Sequence, residues 1–330
     1  MCVIIAKKCK LKGSKKENWF LYKVRDRAYD PVYTVKYNSK GDVQAVFLVD
    51  QSSDWTEGVN SAGIMLVSAS LQNHEDKKDG QSKSKTSNNI PKQVTRNGVI
   101  LRQVLRLDNI NDVVDRLVEE KFTGNTFVSD GNKLFILEIY IKSDNIKKYK
   151  DEYIKDFDIN KYTDAEIKLK IMNNLQPDDY EVNVREIKKD IMVARTNHGI
   201  IDSDAGYQPS DAGYESSTLR LKTALDALKV LDLESHPFET LTLLKNLTQE
   251  NNKEENNPIR VKGNDSGFFS GTIVMLTPTG SLFAVPLHST FENVDFNRIH
   301  KERKVSFVLL PKNLPLFESF KGMVYKEMIK

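Results

Sequence analysis

The sequence predicts an α+β fold in which β-sheets are covered by helices. Segments of strand-like composition and segments of helical periodicity occur in separate blocks, in the order strands, helices, strands, helices, strands. This block order is typical of α+β proteins and differs from the regular alternation of parallel βαβ units. The 330 residues, of which 39% are hydrophobic, are also sufficient to bury a sizeable core.

The first block contains strands rich in β-branched and aromatic residues. Its strand segments are "MCVIIAKKC", "NWFLYKVRDRAYD", "VQAVFLVDQ" and "GIMLVSASL", and "WTEGVNSAG" between the last two has the composition of a hairpin connection. Two segments of helical spacing follow, "NGVILRQVLRL" and "NINDVVDRLVEEKF". We expect Asn111 or Asp112 to cap the second helix.

The second half of the chain repeats the pattern of strands followed by helices. "NTFVSDGNKLFILEIY" predicts a hairpin about its Asp-Gly turn, and "DIMVARTNHGII" has the composition of a strand. "STLRLKTALDALKVL" and "PFETLTLLKNLTQE" are typical of amphipathic helices. "GTIVMLTPTGSLFAVPL" predicts a late hairpin about Pro278, Thr279 and Gly280.

We interpret residues 1–330 as a single domain with two excursions. Residues 72–97 read as a polar surface loop, and residues 142–190 read as a charged insertion that is helical or irregular. The pentapeptide "SDAGY" occurs at residues 203–207 and again at residues 210–214. Its period is too short for a solenoid and indicates a duplicated surface turn, although its place directly after "RTNHG" also suits a binding motif.

Charge and cysteine content argue against several classes of protein. With 49 basic and 46 acidic residues, the net charge of +3 makes no electrostatic case for nucleic acid or a membrane as partner. The only cysteines, Cys2 and Cys9, cannot form a disulfide framework, which favours a reduced, cytoplasmic compartment. The apolar run "VIIA" is too short for a signal peptide or a membrane span, and no ligand spacing predicts a metal site.

Cys2 directly follows the initiator methionine and therefore has a chemistry that Cys9 lacks. Methionine aminopeptidases remove Met1 when the second residue is small, and the new terminus would carry both a thiol and an α-amine. An α-amine with a pKa near ~8 can act as a base at neutral pH, so one residue could serve as nucleophile and base. Because Cys2 and Cys9 are seven positions apart, an odd offset, we expect them on opposite faces of the strand.

Such a nucleophile needs a cation near the sulfur, a carboxylate near the α-amine and an amide for the oxyanion. Arg27 and Asp30 in "VRDRAYDP" have the spacing R-x-x-D, and Arg25 with Asp26 forms a similar pair one step earlier. Taken alone, such pairs are more often ordinary ion pairs at a strand end. Three further candidates lie downstream: Asn197 as an amide donor, His198 as a structural residue or substrate contact, and Arg220 at a helix start.

The order of these segments resembles the choloylglycine hydrolase and acyl-CoA:isopenicillin-N acyltransferase branch of the N-terminal nucleophile (Ntn) hydrolases. The matching segments are Met1-Cys2, residues 27–30, Thr196-Asn197 and residues 217–220, together with "EGVNSAGIMLVSASL", "FILEIY" and "FFSGTIVMLTPTGSLFAVPL". "VRDR" is also similar to the N-R-D-E signature of transport-and-Golgi-organisation proteins.

The resemblance implies a four-layer αββα sandwich, hydrolysis of a C–N amide bond and no cofactor. It implies that Cys2 is the nucleophile, that Arg27 supports its thiolate and that Asp30 holds the α-amine. It further implies that Asn197 donates to the oxyanion and that Arg220 completes the charged network. Ser70 and Asn73 lie nearest to the second oxyanion position of the family and, with His198, are candidate substrate contacts.

The leading hypothesis is therefore a cysteine Ntn amidohydrolase that works through a thioester at Cys2 and passes the acyl group to water or another amine. Its expected partners are a small-molecule or peptidic acyl-amide substrate and the methionine aminopeptidase that matures it. A homo-oligomer is left open. Two alternatives remain: a glutaminase like that of class II glutamine amidotransferases, and an Ntn-fold binding protein without catalytic activity.

Overall fold

Two large β-sheets form the framework of the chain, and the predicted α+β class is confirmed. The computed structural model describes residues 2–10, 15–27, 33–38, 42–51, 53–71, 96–142, 145, 175–202, 205–210, 212–247, 269–278, 280–285 and 306–311. The strands in these residues are β1 (Cys2–Lys10), β2 (Glu17–Arg27), β3 (Tyr33–Asn38), β4 (Ala45–Asp50), β5 (Thr56–Asn60), β6 (Met65–Ala69), β7 (Gly124–Ser129), β8 (Leu134–Ile141), β9 (Tyr180–Glu186), β10 (Met192–Arg195), β11 (Phe269–Thr277), β12 (Gly280–Val285) and β13 (Ser306–Pro311). The α-helices in these residues are α1 (Arg96–Val104), α2 (Ile110–Glu119), α3 (Ala212–Leu228) and α4 (Pro237–Leu247).

The six-stranded sheet has the order β10-β1-β2-β11-β12-β13, and the seven-stranded sheet runs in sequence order from β3 to β9. Neighbouring strands pair antiparallel, except that β12 and β13 pair parallel. The seven-stranded sheet is thus a meander. Its β7–β8 hairpin is the one that the sequence predicts for "NTFVSDGNKLFILEIY". At that turn Gly131 has a φ of 88°, in the left-handed region that favours glycine.

The two faces of β1 belong to different parts of the core. Cys2 and Ile4 lie in a cluster of buried residues drawn from both sheets. Val3 and Cys9 lie in a second cluster, together with residues of α3 and α4. This alternation follows from the two-residue period of a strand, and it confirms that Cys2 and Cys9 face opposite sides.

A third cluster packs α1 and α2 against the seven-stranded sheet. Leu101 of α1 and Leu117 of α2 are fully buried there beside Leu137 of β8. Asn109 caps α2 by accepting a hydrogen bond from the backbone N–H of Asn111. The predicted cap at Asn111 or Asp112 is therefore wrong by two to three residues, because Asn109 is the last residue with extended backbone angles.

The segment "WTEGVNSAG" contains a strand, not only the connection that its composition predicts. Thr56–Asn60 forms β5 and is buried along its whole length. The polar residues are compatible with burial because their bonding is satisfied internally. The side chain of Asn60 donates to the carbonyl oxygens of Leu105 and Leu107 and accepts from the backbone of Ile64.

Three further strands were not predicted. Within the proposed insertion at 142–190, Tyr180–Glu186 forms β9 and pairs with β8 along an edge of the seven-stranded sheet. The alternating "YEVNVRE" has a strand period, but its high charge obscured it; charged side chains are common on edge strands. The other two are β3 and β13. Most of the polar loop, residues 72–95, lies outside the described residues, as do 143–144 and 146–174 of the insertion.

In the described part of the chain, no helix combines the length and the apolar character that a membrane crossing needs.

Candidate functional site

One end of the space between the two sheets is lined by charged side chains, whereas the rest of that space is apolar. Lys23 and Arg25 come from β2 of the six-stranded sheet, and Asp50 and Glu57 come from β4 and β5 of the other sheet. All four are buried, with no more than 1% of each residue exposed. Buried charges are retained only where they are paired, so these four groups form one coupled cluster.

Cys2 lies at this charged end, on the first residue of β1. Antiparallel pairing sets it directly opposite Arg25 of β2, and directly paired residues project from the same face of a sheet. Only 7% of Cys2 is exposed. Cys2 lies close enough to Arg25 and Lys23 that a negative charge on its sulfur would favour the protonated forms of both cations.

Arg25 is held between the two carboxylates of the seven-stranded sheet. Its Nη2 lies 3.3 Å from Oε1 of Glu57, and its Nη1 lies 3.9 Å from Oδ2 of Asp50. Burial alone lowers the pKa of Arg25, but the negative charges around it, with Glu57 first, outweigh burial and raise that pKa above its ordinary value. Arg25 is therefore a permanent cation beside the sulfur.

Asn197 lies on the other side of Cys2, in the turn that follows β10. Its Oδ1 accepts a hydrogen bond of 2.7 Å from the backbone nitrogen of Cys2. Its Nδ2 donates to the carbonyl oxygen of Ser70, also at 2.7 Å. A carboxamide nitrogen carries two hydrogens, so one N–H of Asn197 remains beyond the bond to Ser70. The side chain can thus hold the Cys2 nitrogen and still offer a donor.

The turn that carries Asn197 is clamped by Asn125 of β7. The Nδ2 of Asn125 donates to the carbonyl oxygens of Thr196 and His198, at 2.9 and 3.1 Å, on either side of Asn197. Asn125 is fully buried. The seven-stranded sheet therefore determines the position of a residue that belongs to the six-stranded sheet's side of the site.

Ser217 of α3 fastens the same turn from the helix side. Its hydroxyl oxygen accepts from the backbone N–H of Asn197 at 3.1 Å and lies 2.9 Å from Nδ1 of His198. Burial, assisted by the charge of Arg195, lowers the pKa of His198. A neutral imidazole that is engaged with hydroxyl groups and 5% exposed has a structural role in this arrangement.

Glu138 of β8 anchors the residues that follow the turn. Its carboxylate accepts hydrogen bonds from the backbone N–H groups of Ile200, Ile201 and Asp202, at 2.9, 3.2 and 2.8 Å. Three donors stabilise a carboxylate that is 0% exposed. The charge of Glu138 is thus used to organise the chain next to Asn197.

Residues 205–207, the end of the first "SDAGY" copy, pack against the turn, whereas residues 212–214 of the second copy begin a helix. Gly206 forms a bridge with His198, and the backbone N–H of Tyr207 donates to the carbonyl oxygen of Asn197. Ala212–Leu228 is α3, so the last three residues of the second copy are helical. Residues 205–207 are therefore part of the frame of the site and not only a surface turn.

The structure gathers some of the predicted site residues and does not describe others. Cys2 and Asn197 are in contact, and the carbonyl of Ser70 joins them. Arg220 is 2% exposed and lies one helical turn after Ser217 in α3. Asp30 and Asn73 lie outside the described residues.

The cation directly opposite Cys2 in the β1–β2 register is Arg25, whereas the sequence predicts Arg27 for this role. The backbone of Arg27 pairs with Phe269 of β11, two residues further along β2. The role of Arg27 stays a prediction, because residues two apart on a strand share a face and the register only shows which residue lies directly opposite. That register cannot be read from the motif.

Sequence reasoning missed several residues that shape the site. They share one signal, a polar or charged residue inside an otherwise apolar strand segment: Lys23 in "FLYKV", Asp50 in "FLVD", Glu57 in "WTEGV", Asn125 in "GNTFV" and Glu138 in "FILEIY". Such residues rarely remain buried without a specific partner, so each marks a place where two elements meet.

Among the described residues, no group of three or more His, Cys, Asp or Glu side chains is arranged to hold a metal ion. No protein-family model matches the sequence, and no curated protein matches it either.

Proposed function

We propose that the chain is a cysteine Ntn amidohydrolase that cleaves a C–N amide bond through a thioester at Cys2. The observation that carries this proposal is the 2.7 Å hydrogen bond from the Cys2 nitrogen to Oδ1 of Asn197. Removal of Met1 would convert this nitrogen into the α-amine, already held by an acceptor. Arg25 supplies the cation that a thiolate nucleophile needs.

The proposed chemistry uses Cys2 as both nucleophile and base. The α-amine takes the proton of the thiol, and the thiolate attacks the carbonyl carbon of the substrate amide. The C–N bond then breaks, and the α-ammonium gives its proton to the departing nitrogen, leaving a thioester. Water, activated by the amine, attacks the thioester and restores the thiol.

In this proposal the second N–H of Asn197 is the donor for the oxyanion. It projects from a side chain whose other atoms are committed to Cys2 and Ser70, so its orientation is preset. A preorganised donor of this kind contributes about 3 kcal/mol to transition-state stabilisation in acyl-transfer enzymes. Asn197 would then orient the base and bind the oxyanion.

The proposed fold is the four-layer αββα sandwich of Ntn hydrolases. Three buried clusters support it: one joins both sheets, one joins the six-stranded sheet to α3 and α4, and one joins the seven-stranded sheet to α1 and α2. The charged end of the space between the sheets would then be the mouth of the active site.

The proposal is tested with intact-mass analysis and a panel of amides. We expect the mass of the purified protein to lack Met1, and we expect N-acyl amides to add an acyl group to Cys2. Glutamine is one arm of the panel, since its use alone would favour the glutaminase alternative. Cys2→Ser should abolish acylation, whereas Cys9→Ser, the matched thiol variant, should not.

Two results would overturn the proposal. The first is turnover by protein that retains Met1, because the α-amine would then not be the base. The second is a mature Cys2 terminus that no amide of the panel acylates although iodoacetamide alkylates it. That second result would favour the binding-protein alternative.

A further inference from the structure

Lys23 is a fully buried lysine whose presence in the core needs an explanation. Its side chain is 0% exposed. Its Nζ donates to Oε1 of Glu57 and, at 2.6 Å, to the carbonyl oxygen of Ser68. Lysine is almost never fully buried, because an ammonium group that leaves water loses its hydration and needs a charged or hydrogen-bonding partner in exchange.

Lys23 faces the same space as the thiol of Cys2. It lies two residues before Arg25 on β2 and therefore on the same face of that strand. Arg25 pairs with Cys2, and Lys23 pairs with Ile4, the next residue of β1 on that face. The Lys23 side chain is thus a diagonal neighbour of the Cys2 side chain, close enough that a charge on the sulfur opposes the lowering of the Lys23 pKa by burial.

Among the described residues, the charged or ionisable groups that face Lys23 come from four strands. β2 contributes Arg25, β4 contributes Asp50, β5 contributes Glu57, and β1 contributes Cys2. Its other described neighbours carry no charge: the ring of Trp55, whose centroid lies 5.4 Å from Nζ, the Ser68 carbonyl from β6 and Val274 of β11. The phenol of Tyr33 from β3 faces Arg25.

The two cations and two carboxylates of these described residues cancel, so Lys23, Arg25, Asp50 and Glu57 together carry no net charge before the thiol ionises. Without the charge of Lys23, the cluster would carry one net negative charge, and a thiolate would form against it. Glu57 also binds Arg25, so Lys23 occupies a carboxylate that would otherwise neutralise Arg25 more completely.

We propose that Lys23 is a positioning residue that keeps the buried cluster electrically balanced and thereby makes the thiolate of Cys2 accessible near neutral pH. The inference rests on the proposed function, in which Cys2 is the nucleophile. It adds to that function an electrostatic control that the α-amine does not provide. Lys23 acts through the charge at Cys2 and touches no substrate in this scheme.

Burial and the neighbouring groups also predict where this control ends. Burial lowers the pKa of Lys23 to about 8, although Glu57 opposes this shift. Above that pH the ammonium loses its proton and the cluster becomes negative. The ionisation of Cys2 and the deprotonation of Lys23 are therefore coupled, and both belong to one macroscopic pH profile.

The test measures the rate at which iodoacetamide alkylates Cys2 between pH 6 and 10, by mass analysis of the Cys2 peptide. Lys23→Met should slow alkylation about tenfold at pH 7 and move the midpoint of the profile to higher pH. Lys23→Arg should stay within about threefold of the wild-type rate, because it restores the charge.

Glu57 supplies a test of opposite sign. Glu57→Gln removes a negative charge, so it should accelerate alkylation at pH 7, whereas Lys23→Met slows it. The double variant restores a neutral cluster and should return toward the wild-type rate. If Lys23 and Glu57 only tied the two sheets together, both single variants would change the rate in the same direction, and the proposal would be refuted.

Lys7→Met is the matched control, because Lys7 is also a lysine with 0% exposure on a strand of the same sheet. Its Nζ donates to the carbonyl of Asp232, away from the charged cluster. We expect no change in Cys2 alkylation for this variant. Thermal unfolding shows whether each variant is folded. If Lys23→Met is not folded, Glu57→Gln replaces it in the comparison. Faster alkylation in Glu57→Gln then supports the proposal, and an unchanged or slower rate refutes it.

This experiment separates the inference from the proposed function. The charge of Lys23 acts through space, so the same rate pattern is expected with Met1 retained or removed. A chain that shows the pattern but hydrolyses no amide keeps the inference and loses the amidohydrolase. A chain that hydrolyses amides with unchanged alkylation in Lys23→Met does the reverse.

Discussion

Gly206 offers a test of how tightly the turn that carries Asn197 is packed, because the sequence contains its own control. Gly206 has a φ of +72°, and a Cβ atom there would lie 2.4 Å from the carbonyl oxygen of Asn197 and 2.8 Å from Cδ2 of Leu71. Gly213 is the equivalent residue of the second "SDAGY" copy and lies in the first turn of α3. The same substitution therefore falls on a left-handed turn in one copy of the pentapeptide and on a helix in the other.

The two contributions to the loss of stability in Gly206→Ala can be worked out separately. A left-handed backbone costs a residue with a Cβ about 1–2 kcal/mol. The contact with the Asn197 carbonyl can be relieved only if backbone moves, which brings the expected loss for Gly206→Ala to about 2–4 kcal/mol. Gly213→Ala should instead gain up to about 1 kcal/mol, since alanine is the better helix former.

Urea unfolding followed by tryptophan fluorescence measures both changes, and Cys2 alkylation reports on the site. We expect the free energy of unfolding to fall in the order Gly213→Ala, wild type, Gly206→Ala, with altered alkylation only in the last. A Gly206→Ala protein within about 0.5 kcal/mol of the wild type would refute the reasoning, because the turn would then tolerate a Cβ.

Three further predictions concern buried charge and thiol reactivity. Glu138→Ala leaves three backbone N–H groups without their acceptor, so it should lower the free energy of unfolding by about 2–4 kcal/mol and speed amide exchange at residues 200–202. The control Glu181→Gln loses an exposed ion pair with Lys142 and should change the free energy of unfolding by less than about 1 kcal/mol. Burial raises the pKa of Cys9 to about 12. At pH 8, alkylation of the folded protein should therefore be confined to Cys2, and Cys9 should react only in urea. Labelling of Cys9 in the folded Cys2→Ser variant would contradict this expectation. The pKa of Lys23 is about 8 in the folded chain, against 10.5 for an ordinary lysine. Between these two pH values the unfolded chain holds a proton that the folded chain has lost, so the free energy of unfolding, relative to that of Lys23→Met, should rise with pH. If the difference in unfolding free energy between the two proteins stayed constant from pH 7.5 to 10, the pKa shift would be contradicted.

The sequence was most informative where one regular pattern decides the outcome. The odd separation of Cys2 and Cys9 predicted that they face opposite sides of one strand, and the two core clusters confirm it. The hairpin about Asp130 and Gly131 was likewise predictable from its turn residues. In both cases the evidence is local, so no knowledge of distant segments is needed.

The sequence does not predict which segments pair when they are distant along the chain. That Arg25 lies opposite Cys2 follows from a register that nine residue pairs of β1 and β2 determine together. The turn-forming residues of "WTEGVNSAG" predict a connection, yet Glu57 and Asn60 of β5 each find partners in segments distant in sequence. A buried polar residue can be recognised from the sequence as unusual, but its partner cannot.

The contacts around Cys2 span the seam between the two sheets. Cys2, Arg25 and Asn197 belong to one side of that seam, and Glu57 and the Asn125 clamp belong to the other. A relative sliding of the sheets by about 1 Å would disturb all of these contacts together, and displacements of that size alter reactivity strongly. The reactivity of the Cys2 thiol therefore reports on how the two sheets are positioned relative to each other. Hydrostatic pressure or mild urea that weakens the packing between the sheets should change the alkylation rate of Cys2 before the strands themselves unfold.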